Sequence, residues 1–183
     1  MRYKKFGNTG ENLSVLCLGT WALGGKQFGA VTQEDAVAAV HAMIDCGVNI
    51  VDTAPIYASG GSEEVLGKAL QGGYRDKVFL ITKFGSEFVD PNDSDKGTIK
   101  DSSRKNMLKS IDASLKRLQT DHIDGYLMHW DDRVGTPIEE TIGCMKGAES
   151  RRQGTIPGHV QSGARAGGPP AGRRSAGHRP VSL

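Results

Sequence analysis

Apolar and polar positions alternate in blocks along the first 146 residues of this chain, and each block predicts an element. Ser14-Val-Leu-Cys-Leu-Gly19 is a near-continuous apolar run, the signature of a strand covered on both faces. Tyr3–Phe6, the turn residues Asn8-Thr-Gly10 and Leu13 ahead of it predict a small hairpin. Thr32-Gln-Glu-Asp35 then supplies a helix cap followed by first-turn acids. The helix carries apolar residues at Ala36, Val37, Val40, Met43 and Ile44 and stops at Gly47.

The same alternation recurs three times. Val48–Val51 predicts a strand, and Ser62–Leu70 a helix capped at its start and halted by Gly72-Gly73. Val78–Thr82 predicts the third strand. Ser102–Leu118 places Met107, Leu108, Ile111, Leu115 and Leu118 on one stripe of a helix. Ile123–Met128 predicts the fourth strand, and Pro137–Met145 a helix opening on proline. Strand ends near residues 20, 52, 83 and 128 are about one βαβ unit apart.

Strict strand–helix alternation implies a parallel sheet with helical crossovers, either open and doubly wound or closed as a barrel. Periodicity does not separate the two. The first strand–helix turn, Gly19-Thr-Trp-Ala-Leu-Gly24-Gly25, lacks the G-x-G-x-x-G spacing of a dinucleotide-binding open sheet. That favours the barrel, with the four strands neighbours in chain order.

Composition changes the picture at Gly147. From there to Leu183, Gly, Pro, Arg, Ala and Ser fill 27 of 37 positions, without Lys, Asp or an aromatic residue. This tail holds six of the 23 basic residues and one of the 21 acids, so it carries +5 and residues 1–146 carry −3. A basic arm for nucleic acid would need lysines or interleaved aromatics. A disordered linker and a reading-frame change in a GC-rich gene also account for the composition. The frame change is the expectation adopted, because codons for Gly147–Ser150 can be read in a shifted frame as Gly-Leu-Lys-Ala. Residues 1–146 are then one unit, and 147–183 a disordered, out-of-frame tail.

No apolar run is long enough for a membrane span, and the N-terminus lacks the apolar region of a secretory signal. Cys17, Cys46 and Cys144 are odd in number and not spaced as metal ligands, which predicts free thiols and a cytoplasmic location.

Candidate chemistry sits at strand ends: Asp52 in Asp-Thr-Ala-Pro-Ile-Tyr57, Lys83 in Ile-Thr-Lys-Phe-Gly85, and His129 in Met-His-Trp130. Barrel enzymes build their sites at this face. A lysine ending an apolar strand needs a counter-ion, and Asp52, one strand away, is the nearest candidate. Tyr57, after a turn fixed by Pro55, could fold back over the mouth. Taken singly, each has a plainer explanation: a turn-capping Asp, a packed Tyr, a snorkelling Lys, a core His. Four strand-end coincidences together favour chemistry. His41 and His122 have no such company and read as helix-end or surface residues. Glu63 and Glu64 read as first-turn charges favoured by the helix dipole.

In order and spacing, D-T-A-P-I-Y, I-T-K-F-G and M-H-W resemble the Asp, Tyr, Lys and His tetrad of the aldo-keto reductase family. The opening R-Y-K-K-F-G-N-T-G, the stretch L-C-L-G-T-W-A-L-G-G and S-E-E-V-L-G-K-A-L are similar to that family too. The resemblance covers residues 1–146. It implies a (β/α)8 TIM-type barrel, here an N-terminal hairpin plus about four βα units. It further implies reduction of an aldehyde or ketone with NADP(H), NAD being the alternative cofactor. Tyr57 would be the general acid, assisted by Lys83, Asp52 and His129. Thr20, Trp21 and Asp52 would contact the cofactor. No metal, nucleic acid or membrane is implied. Because a full barrel of this type needs about 200–250 residues, a second expectation is a catalytically inactive fragment that self-associates through open sheet edges or serves as an interaction or regulatory module.

Overall fold

The apolar run Ser14–Gly19 divides between two sheets in the computed structural model, which describes residues 1–24, 29, 31–90, 93–130, 132 and 135–150. Ser14 closes a hairpin of β1 (Tyr3–Lys5) and β2 (Asn12–Ser14), pairing with Tyr3. Only Leu18–Gly19 form β3. Val15 and Leu16, expected inside a strand, lie exposed on the connection, where the Val15 amide bonds back to the Arg2 carbonyl at 3.0 Å. A continuous apolar run therefore serves two structures joined at a bend. The part of the tail at 151–183 lies outside the described residues.

The strands that follow are β4 (Ile50–Asp52), β5 (Phe79–Phe84), β6 (Glu87–Asp90), β7 (Asp93–Ile99) and β8 (Gly125–Met128). Three of them join β3 in one parallel sheet of order β3-β4-β5-β8. Sequential order is what a barrel requires; a doubly wound sheet would place its first strand in the middle. Register pairs Gly19 with Asp52, Asp52 with Ile81, and Lys83 with Leu127. Three helices lie between the strands: α1 (Gln33–Asp45), α2 (Gly61–Ala69) and α3 (Arg104–Leu118). α4 (Ile138–Ser150) follows β8, and its backbone runs past the composition change at Gly147.

The strand period of two sorts side chains between faces. Val51, Leu80, Phe84 and Tyr126 point to the helices, where they pack with Val40, Ile44, Leu66, Met107, Ile111 and Leu118. Ile50, Phe79 and Ile81 point to the other face and meet Leu13 of the hairpin. Asp52 and Lys83 share that second face, two residues further along their strands. α2 and α3 approach so closely at Gly67 that a Cβ there would lie 2.3 Å from the Arg117 carbonyl oxygen.

Local signals are partly as expected. Thr32 caps α1 by accepting from the Asp35 amide, and Gly47 takes a positive φ just past the helix end. The start of α2 differs from expectation. Its cap is Gly60 in a left-handed conformation, while Ser62 is buried inside the first turn. Glu63 stands in the first turn as expected but is fully buried there, bonded to Thr82 and Arg117. His41 stacks on Tyr74 at 3.9 Å, and His122 pairs with Asp121 as a surface residue would. The antiparallel pair β6–β7 makes a second hairpin after β5, one that no apolar period signals.

Arg75 anchors the sheet from the end opposite the site. Its guanidinium donates to Thr120, to the Val78 and His122 carbonyls and, at 2.8 Å, to the fully buried Asp124 carboxylate. The same Asp124 oxygen accepts the Leu80 amide. Arg75→Met leaves a buried carboxylate without its cation, so urea unfolding should show a loss of about 3–5 kcal/mol. A loss below about 1 kcal/mol would indicate a solvent-screened pair.

Candidate active site

Lys83 reaches the mouth of the sheet through the residues on either side of it. Phe84 is anchored in the helix-side core and Thr82 is bonded to Glu63, so the intervening side chain is turned to the opposite face. There the ammonium belongs to a residue only 8% exposed, in a place where an unpaired charge would be costly. It donates to Asp52 Oδ1 at 2.6 Å, to the Thr53 carbonyl at 2.9 Å and to the Tyr57 hydroxyl at 3.3 Å.

Each acceptor is held by its own local structure. The Asp52 carbonyl accepts both the amide and the hydroxyl of Thr20, a fully buried residue that ties the end of β3 to β4. The Thr53 amide donates to the Ile81 carbonyl, which turns the Thr53 carbonyl towards the lysine. Tyr57 opens a short 3₁₀ turn, Tyr57–Gly60, in which Ala58 and Ser59 hold positive φ of 51° and 56°. Non-glycine residues occupy that region only at a cost. The turn Trp21–Gly24 lies directly against it: a Cβ on Gly24 would sit 1.9 Å from that of Ala58.

His129 extends the last strand pairing by one residue, its amide donating to the Phe84 carbonyl at 2.9 Å. Its ring meets the Tyr57 ring edge-on, with centroids 5.7 Å apart and planes at 83°. Burial lowers its pKa from the usual imidazole value; the Lys83 ammonium lowers it further, against an opposing effect of Asp52, and Lys100 adds to the lowering. The imidazole is therefore mainly neutral at pH 7.

All four residues expected at the site, Asp52, Tyr57, Lys83 and His129, converge at one strand-end face. Trp21 joins them, its exposed ring 6.3 Å from that of Tyr57. Thr20 is nearby but its hydroxyl is spent on the backbone. Three features escape sequence reasoning. Backbone carbonyls carry no side-chain signal, so the Thr53 acceptor is silent. Cys17 is exposed yet near enough for Asp52 and Lys83 to act on its thiol, whose pKa is pushed up by partial desolvation first and by Asp52 next. Lys100, beside the unforeseen hairpin, stands 4.3 Å over the Trp130 ring and bonds to Ser86. Just beyond Trp130, burial acts to raise the Asp132 carboxyl. Hydrogen bonds from the Ser102 amide and hydroxyl and from Thr136 prevail and hold it well below the usual range, pinning this loop to the start of α3.

Among the described residues no group of three or more His, Cys, Asp or Glu converges as a metal site, and no helix is long and apolar enough to cross a membrane. Chemically, the face offers a phenol in contact with an ammonium, an imidazole at its edge and a carboxylate that fixes the ammonium. That set can deliver one proton to a basic oxygen within hydrogen-bonding reach of the Tyr57 hydroxyl.

Comparison with known proteins bears on the same residues. The profile of the Aldo/keto reductase family matches residues 15–157. The aldo-keto reductase YhdN of Bacillus subtilis is 39% identical over 147 residues, covering 80% of this chain and 43% of that protein. Among solved structures, the holo form of aldo-keto reductase AKR11C1 from Bacillus halodurans superimposes with a TM-score of 0.72 at 30% identity, over 82% of this chain and 47% of the other. An aldo-keto reductase from Klebsiella pneumoniae in complex with NADPH gives 0.65 at 35% identity, over 82% and 46%. The chain thus spans less than half the length of these relatives.

The lowered pKa of His129 is directly measurable. Its imidazole signal should titrate below the usual value near 6.5, and Lys83→Met should bring it only part of the way back, since burial remains. Because the unfolded chain takes up this proton at a higher pH than the folded one, stability should fall as pH drops through about 6.5. Titration at or above the usual value in the unsubstituted chain would contradict the described environment.

Proposed function

The chain belongs to the aldo/keto reductase family, and on that premise we propose that its strand-end face belongs to a site that reduces an aldehyde or ketone to the alcohol with NADPH. The observation that carries the reading is the Lys83 ammonium, bonded at once to Asp52 and to the Tyr57 hydroxyl.

Reduction of a carbonyl needs a hydride at carbon and a proton at oxygen. Tyr57 supplies the proton from its hydroxyl, leaving a phenolate that the adjacent Lys83 ammonium stabilises. Asp52 and the Thr53 carbonyl fix the ammonium so that its charge is aimed before the proton moves. His129, neutral and edge-on to the tyrosine, orients the carbonyl oxygen by a ring N–H. The hydride would come from a nicotinamide held at this face.

The residues present fit the nicotinamide end of such a cofactor. The Trp21 indole is exposed beside Tyr57, and the Asp52 side chain keeps 30% of its surface open while holding Lys83. Both can line a flat, polar ring system next to the proton donor. Thr20 would contribute from beneath, by fixing the Asp52 backbone. The NADPH complex of the Klebsiella relative supports the choice of NADP(H) over NAD.

The chain spans 43% of its Bacillus relative, and NADPH titration followed by cofactor fluorescence tests whether this portion holds the cofactor. In a protein carrying the remaining strands, NADPH oxidation with a simple aldehyde should fall about 10²–10⁴-fold on Tyr57→Phe. Oxidation unaffected by that substitution would overturn the assignment of the acid.

A further inference from the structure

We propose that Glu63, Thr82 and Arg117 form a positioning network that sets the distance between Lys83 and Tyr57; this rests on the reading of those two residues as the proton-delivering pair. Glu63 is fully buried in the first turn of α2. Its Oε1 accepts from the Thr82 hydroxyl at 2.7 Å, and its Oε2 accepts from Arg117 Nε at 2.7 Å. Three elements, α2, β5 and α3, therefore meet at one carboxylate on the helix side of the sheet. Burying a charge pair costs so much desolvation that apolar residues would often stabilise as well. What a charge pair adds is a defined geometry.

That geometry addresses both ends of the Lys83–Tyr57 contact. Thr82 immediately precedes Lys83, and the two side chains leave β5 on opposite faces. Holding Thr82 from behind fixes the rotation of the strand about its axis and so the aim of the lysine. Arg117 acts on the other end. Its side chain lies against Gly60, where a Cβ would come within 2.8 Å of Cδ and 3.0 Å of Nε. Gly60 closes the turn that Tyr57 opens, with the positive φ of Ala58 and Ser59 between them. A turn in such conformations keeps its shape only where its surroundings enforce it, and the arginine forms one wall of that enclosure. Of the three contacts Lys83 makes, the one to Tyr57 is the longest, at 3.3 Å against 2.6 and 2.9 Å. A shift of a few tenths of an ångström at either end would break it first.

The test uses the full chain with ¹³C-labelled tyrosine ring carbons and reads the Tyr57 NMR signal, identified by its loss in Tyr57→Phe. Lys83→Met defines the direction in which the signal moves when the ammonium is withdrawn. Thr82→Val keeps the shape and removes the hydroxyl; it should move the Tyr57 signal in that same direction, while thermal unfolding stays cooperative. Thr82→Ser, which restores the hydroxyl, should return the signal to its original position. Arg117→Lys, which keeps the charge but alters the wall behind Gly60, should also displace it, and decides the matter if Thr82→Val does not fold. A Tyr57 signal that responds to Lys83→Met but to neither network substitution would overturn the network and leave the acid assignment standing. A signal unmoved by Lys83→Met would remove the contact itself, and both proposals with it.

Discussion

An ammonium ion enclosed at the end of a strand is the constraint around which the rest of this molecule is arranged. Lys83 is too buried to be left to solvent, so oxygen acceptors must be brought to it. The nearest strand can supply only what its register allows, and the pairing of Asp52 with Ile81 sets the carboxylate two residues short of the lysine, within reach of a long side chain. The Thr53 carbonyl follows from the same pairing. Thr20 then becomes necessary, since a carboxylate drawn towards a buried cation needs its own backbone held. Tyr57 completes the set at the cost of two non-glycine residues in left-handed conformations. Strand order, turn strain and side-chain chemistry can thus be traced to one charge.

The chemistry-bearing positions were legible because they interrupt an otherwise apolar pattern. An aspartate, a lysine and a histidine each ending an apolar strand stand out in a sequence read for periodicity alone. The helices were legible for a related reason: of the five apolar residues at helical spacing in α3, Met107, Ile111 and Leu118 are buried and Leu115 is partly so, while Leu108, at the edge of the stripe, is exposed. Thr32 was legible as a cap because its neighbours supply the first-turn acids.

Other features lacked any one-dimensional signal. The apolar run at residues 14–19 looks uniform, and nothing in it marks where one sheet hands over to another. The hairpin strands Glu87–Asp90 and Asp93–Ile99 do not carry apolar residues at every second position, since Phe88 and Val89 are adjacent and the second strand is mostly polar, so hydrophobic alternation passes over them. Glu63 has the appearance of an ordinary helix-start acid, as does Glu64 beside it. Only the arrival of Arg117, 54 residues later, separates the two. The acceptor at Thr53 is a carbonyl that every residue possesses.

The division of the strands between two faces has a bearing on how this sequence can vary. Thr82 and Lys83 are adjacent in the chain yet serve different neighbourhoods, the one bonded to a buried acid among the helices, the other to the open mouth of the sheet. A substitution at either place disturbs one neighbourhood. A single residue inserted or deleted within Phe79–Phe84 would exchange the two, thrusting an ammonium among Leu66, Met107 and Leu118 and presenting a hydroxyl where the charge had been. Such a change alters one codon's worth of length but inverts every side chain beyond it. Variation in this strand should therefore be confined to residue identity, with changes of length relegated to the loops that follow the strand ends.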